Sequence, residues 1–162
     1  MIDKITTLIL RNELEELKKT LESKSLDLNQ FDRLGNAPLH TACESSAEAV
    51  EILLNCNEKI DINKKNKNGF APIHFAVLDI NTEALKILID RGANINIKED
   101  NGNTPLWLAV MHNDENDQTG IIKLLLDNGA DPQIKNNHGN SLYKALAMPK
   151  NKDIVKLFPP EE

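Results

Sequence analysis

Gly35-Asn36-Ala37-Pro38-Leu39-His40-Thr41-Ala42 returns as Gly69-Phe70-Ala71-Pro72-Ile73-His74-Phe75-Ala76, and again as Gly102-Asn103-Thr104-Pro105-Leu106-Trp107-Leu108-Ala109. A divergent fourth copy reads Gly139-Asn140-Ser141-Leu142-Tyr143-Lys144-Ala145-Leu146. The four glycines lie 34, 33 and 37 residues apart. Recurrence at such a period marks an all-α solenoid of stacked units, none able to bury its apolar face alone. Each unit reads alike. A polar hairpin carries the glycine. A helix then starts at the proline, whose missing N–H would have no partner in a first turn anyway. A second helix follows, with apolar residues at helical spacing: Val50, Leu53 and Leu54; Leu85, Leu88 and Ile89; Ile122, Leu125 and Leu126.

The helix ends carry their own signals. Gly92 and Gly129 stand just past the last apolar residues, where a left-handed cap costs least. Ser45 with Glu48 has capping-box spacing, and Thr82 and Thr119 are placed to cap the later second helices. The departures from a 33-residue period can be located. In the Gly35 unit the turn between helices is one residue shorter, while segment 55–60 is two longer and lacks a cap glycine. In the Gly102 unit four extra residues fall within 112–119, an exposed polar excursion carrying Asp114, Glu115 and Asp117. The ends are atypical, as a linear stack requires. Residues 2–26 read as two short helices, one marked by Ile2, Ile5 and Ile9, the other by Leu14, Leu17 and Leu21. At the other end Ile154, Val155 and Phe158 complete a last helix that Pro159-Pro160 stops.

A chain of 162 residues fits one domain. Hydrophobic residues at 40% and charged residues at 27% describe a soluble chain, and aromatics at 4% suit a solenoid built from Leu, Ile and Ala. The net charge of −6 opposes nucleic acid and anionic membranes as partners and favours a basic protein. Cys43 and Cys56 cannot make a disulfide framework and lack metal-site spacing; they read as buried, reduced thiols. The apolar stretch 5–10 is too short to span a bilayer and has no signal-peptide cleavage site, so the expected location is the cytoplasm.

With Pro-Leu-His-x-Ala, its near-copies, and Gly-Ala-Asn and Gly-Ala-Asp after the second helices (92–94 and 129–131), the chain resembles the ankyrin repeats. The resemblance covers essentially residues 1–158. It implies helix–turn–helix units joined by β-hairpin fingers, about five units in one domain spanning 1–162. The units are an N-terminal cap (1–30), repeats at 31–64, 65–97 and 98–134, the last with the inter-helix insertion, and a C-terminal cap (135–162). It also implies a concave protein-binding face lined by fingers and first helices. Ala37 and Ala71 depart from the family's usual Thr, so no hydroxyl orients His40 or His74. Trp107 and Lys144 replace the His, Leu142 the Pro, and Leu146 the Ala.

Catalytic and metal chemistry finds little support. His40 and His74 hold equivalent positions in neighbouring units, and packed helices lie about 8–10 Å apart, whereas zinc needs nitrogens at about 2.0–2.1 Å. They read as imidazoles bonded to the adjacent finger. His112 and His138 are isolated loop residues, and the Cys43 thiol, near His40 on one helix, has nothing to activate it. The glycines are turn residues, not a phosphate loop. No enzyme, cofactor, metal or small-molecule substrate is expected. The candidate binding residues flank each glycine or lie one turn beyond the His position. They are Arg33, Leu34, Asn36 and Glu44; Lys67, Asn68, Phe70 and Leu78; Asp100, Asn101, Asn103 and Met111; Asn137, His138 and Asn140. Leu34, Phe70, Leu78 and Met111 stand out as apolar on a face that the core does not need, and aligned they would form a contact stripe. The competing reading packs Leu34 and Phe70 on the next finger. With no catalytic or tethering module in the chain, the expected action is occupancy of a protein partner. Small stand-alone members of the family look similar to bacterial immunity proteins that neutralise a cognate toxin, and acidity would suit a basic toxin domain. The alternative is an adaptor or secreted effector that engages a host or cellular protein.

Overall fold

The computed structural model describes residues 1–23, 26–56, 59–113 and 118–161. Nine α-helices occur among them: α1 (Ile2–Leu10), α2 (Leu14–Ser23), α3 (Pro38–Ser45), α4 (Ala47–Asn55), α5 (Pro72–Leu78), α6 (Thr82–Asp90), α7 (Pro105–Met111), α8 (Thr119–Asp127) and α9 (Leu142–Leu146). The chain groups into two compact units, Met1–Ala93 and Asn94–Glu162.

The first unit has two layers. The first helices pack in a row, α1 on α3 and α3 on α5, and the second helices in another, α2 on α4 and α4 on α6. The phrase supplies the contact surfaces. Ala42 and Ala76 are fully buried, and such small side chains let neighbouring helices approach closely. First helices also pack on second helices, α3 on α4 and α5 on α6, and Leu39 and Ile73 of the former are buried together with Leu53, Leu85 and Leu88 of the latter. Each such side chain contributes about 1.5–3 kcal/mol on leaving water. In α1 and α2, Ile5, Ile9 and Leu17 are buried on the periodicity the sequence shows. In the second unit α7 packs on both α8 and α9, around Leu106, Ile121, Ile122 and Leu125.

Helix starts at Pro38, Pro72 and Pro105 match the sequence reading. So does the closure of α6 at Gly92: with φ at +81° it lets Ala93 N–H reach Leu88 C=O (2.9 Å) and Gly92 N–H reach Ile89 C=O (2.9 Å), a Schellman motif.

Other local expectations need correction. Ser45 is not the cap of α4. It is the last residue of α3, its hydroxyl donating to Thr41 C=O (2.8 Å), while Ser46 breaks the chain at φ −157° and its Oγ accepts from Ala49 N–H. Asn81, not Thr82, caps α6, accepting from Ala84 N–H at 3.1 Å, which places Thr82 inside the helix. Thr119 likewise opens α8, and Gln118 precedes it without a side-chain cap. The last helix is replaced by two 3₁₀ turns, Pro149–Asn151 and Val155–Leu157. Pro149 brings no N–H, and the Asn151 amide donates to Ala145 C=O (2.9 Å), so α9 is closed where a longer helix would run on. Ile154 is still buried there, but Val155 is exposed. Cys43 is buried, whereas Cys56 is half-buried. Within the inter-helix insertion, Asp114, Glu115 and Asp117 lie outside the described residues.

Candidate functional site

The fingers are held as turns: no strand occurs among the described residues. One polar side chain three residues ahead of each glycine organises the loop. Asp32 Oδ1 accepts from the N–H groups of Leu34 (2.9 Å) and Asn36 (3.0 Å). Asn66 Oδ1 serves Asn68 and Phe70, each at 2.9 Å. Glu99 divides the task between Oε2, for Asn101, and Oε1, for Asn103. Asn136 Oδ1 takes His138 (3.0 Å) and Asn140 (3.2 Å). These bonds satisfy turn N–H groups that strand pairing would otherwise engage. Sequence reading passed over all four residues, although they keep the glycine register.

Successive fingers are tied to one another. In the first unit Asn66 Nδ2 donates to Asn36 Oδ1 (2.7 Å), and Lys67 N–H to Gly35 C=O (3.2 Å). In the second, Asn136 Nδ2 donates to Asn103 Oδ1 (3.1 Å), and Asn137 binds Asn101 and Asp100 carbonyls. A second joint lies just past α4 and just past α8. Asn29 Nδ2 donates to Lys59 C=O (2.8 Å) while its Oδ1 accepts from Asp61 N–H (2.7 Å). Asn96 repeats this on Gly129 C=O and Asp131 N–H.

His40 ties helix to finger as its position suggested. Its Nδ1 accepts from Ala37 N–H (3.1 Å), so the proton sits on Nε2, which donates to Phe70 C=O (3.0 Å). The backbone N–H thus does the orienting that a Thr hydroxyl would do. Burial holds the His40 pKa below its ordinary value, outweighing its carbonyl partners, so the ring is neutral. His74 Nδ1 accepts from Ala71 N–H in the same way (2.9 Å). Burial pushes the Cys43 thiol far up, which leaves it inert as a nucleophile.

The proposed contact residues fall into two groups by what they touch. Asn36, Asn101, Asn103 and Asn137 are engaged in the finger ties above. Phe70 is half-buried, edge-on to His74 (5.7 Å between centroids) and Phe75 (6.3 Å). Leu78 and Met111 are half-buried. Asn140 accepts from Lys144 Nζ (3.0 Å). Arg33 leans on Asp3 of α1, with Nε 3.5 Å from Oδ2. Lys67 lays its stem over Gly35. The outward group is Leu34, 76% exposed, with Glu44, Asn68, Asp100 and His138. Glu44, in the last turn of α3, has a neighbour the sequence reading missed: Asp79, just past α5. Both carboxyls are exposed, but partial desolvation raises the pKa of each, and Asp79 raises that of Glu44 further. Phe31 is also partly open, with Lys64 Nζ 5.3 Å from its ring centre. No group of three His, Cys, Asp or Glu suited to a metal occurs among the described residues.

The family model for ankyrin repeats matches in three overlapping copies, at residues 6–99, 48–136 and 73–160. Relatives include an ankyrin repeat protein of variola virus, 31% identical over 97 residues, or 60% of this chain and 17% of that protein. The human transient receptor potential cation channel subfamily A member 1 is 36% identical over 104 residues, 62% of this chain and 9% of the channel. A putative ankyrin repeat protein of Rickettsia bellii is 36% identical over 107 residues, 64% and 15% respectively. The chain therefore spans less than a fifth of the length of each. No helix among the described residues is long and apolar enough to cross a membrane.

Proposed function

This chain belongs to the ankyrin repeat family, and on that premise we propose that it acts by occupancy, holding a basic protein partner against its finger tips and first helices. Ankyrin repeats are a protein–protein interaction module. The partner in this proposal is a toxin domain, neutralised because its basic surface is covered. The observation that carries the reading is the Glu44–Asp79 pair. Both carboxylates, though exposed, are raised above their ordinary pKa by partial desolvation, and they stand at the C-terminal ends of α3 and α5, where helix dipoles add negative potential. A partner's Lys or Arg placed between them relieves that repulsion, and the net charge of −6 steers such a partner in. Exposed Leu34 supplies the apolar contact.

A second reading is an adaptor or secreted effector engaging a cellular protein. It draws on the relatives, in which the matched repeats are a small share of a longer chain. Affinity capture from the native organism, followed by mass spectrometry, separates the two. The expected catch is a basic protein that arrests growth when expressed alone and loses that effect beside this chain. A basic partner without toxicity sinks the toxin reading, and an acidic partner sinks the charge argument as well.

A further inference from the structure

The first unit has a second surface that the fingers do not use. A groove of about 540 Å³ opens between α2 and α4. Leu14, Leu21, Ile52 and the half-buried Cys56 give it an apolar lining. Glu22, Glu48 and Glu51 line it with carboxylates. Its lysine, Lys18, is already paired with Glu15 at 3.0 Å. Glu48, an exposed residue, accepts from the Ser46 hydroxyl (3.1 Å), and Glu22 and Glu51 make no ion pair among the described residues. An apolar trough lined by acids selects by charge as well as by hydrophobicity. The flanking helices have 10 and 9 residues, so each side is about 14–15 Å long, room for two to three turns of a third helix.

We propose that this groove docks a basic amphipathic helix of a partner protein, its apolar face on Leu21 and Ile52 and its Lys or Arg side chains against Glu22 and Glu51. Helix-in-groove recognition of this kind uses anchors at i, i+3 or i+4 and i+7, which the trough length accommodates. The inference is independent of the finger-tip reading, and the two surfaces are separable by mutation.

Cys56 reports on the groove, because Cys43 is buried and the chain has no third cysteine. The full chain is treated with monobromobimane under native conditions, alone and with two synthetic amphipathic helices of 12 residues. One carries Leu and Lys; in the other Glu replaces Lys. The Lys peptide is expected to slow Cys56 labelling and to bind in calorimetry, with the Glu peptide inert. Glu22→Lys with Glu51→Lys should weaken the Lys peptide by about tenfold or more while leaving capture of the finger-tip partner unchanged. Glu22→Gln with Glu51→Gln repeats the test without introducing new charge, should the reversal disturb folding. Equal protection by both peptides, no protection by either, or unchanged affinity in both double variants overturns the proposal. So does concentration-dependent protection of Cys56 without peptide, which would assign the groove to a second copy of the chain.

Discussion

Asp32 and Asn66 perform one task with different side chains: each offers an oxygen to two N–H groups of its finger. The loop therefore needs an acceptor, not a charge. Asp32→Asn should cost under about 1 kcal/mol, and Asp32→Ala about 2–4 kcal/mol, because two turn N–H groups and the Thr6 hydroxyl lose their partner. Urea unfolding of both variants checks the ordering. The same residue shows why fingers were only partly legible. The glycine register is plain in the sequence, but Asp, Asn, Glu and Asn at one register position look like unrelated polar residues until their bonds are seen. His40 was legible for the opposite reason, since its identity is repeated. Its depressed pKa sets the sign of a pH effect. The fold binds the neutral ring, so His40's contribution is present above its unfolded value and is lost as pH falls through the lower folded value. His40→Gln should flatten the decline in stability below about pH 6.5, read as denaturation midpoints across pH.

At the scale of elements, left-handed glycines do two different jobs. Gly92 and Gly102 have nearly equal φ, +81° and +82°, so an alanine at either meets the same backbone strain. Around Gly92 the space for a Cβ is open, whereas at Gly102 it would overlap the Asn137 side chain and its backbone N–H group. Gly92→Ala should cost about 1–2 kcal/mol, the price of a left-handed L-residue, and Gly102→Ala more, because a finger tie must shift as well. Thermal unfolding of the two variants isolates the steric part. Helix existence is readable where apolar spacing and proline starts agree, as for α3 to α8, and fails at the C-terminal end, where 3₁₀ turns replace the expected last helix. Helix edges are not readable. Ser45 and Ser46 are chemically identical neighbours, and only the chain's break at φ −157° decides which one caps α4. Asn81 over Thr82 is the same case.

For the molecule as a whole, the net charge of −6 is the property that bears on the proposed basic partner. Glu44 has its pKa raised above 4.5, so its share of stability is present at low pH and lost as pH rises through that raised value. Glu44→Gln should therefore raise the melting temperature near pH 7 and change it little near pH 3.5. Binding of a basic partner runs the other way: it should strengthen as Glu44 and Asp79 ionise and weaken with added salt. A titration across pH and salt that shows neither trend removes the charge argument. Little of this was visible in the sequence. Glu44 was picked out by its position one turn past His40, but Asp79 acts only because packing of α3 on α5 brings their ends together. Leu34 and Phe70, equally apolar in sequence, diverge because Phe70 has His74 and Phe75 to lean on while Leu34 is 76% exposed.

Asn29 and Asn96 grip their neighbours by peptide groups alone, one C=O and one N–H each. A joint that recognises main chain is indifferent to which side chains follow it. Gene duplication, deletion or recombination can therefore change the copy number or swap the order of repeats without redesigning these two joints. Substitutions at the exposed positions leave those two joints intact, so the proposed partner surface can change while they persist.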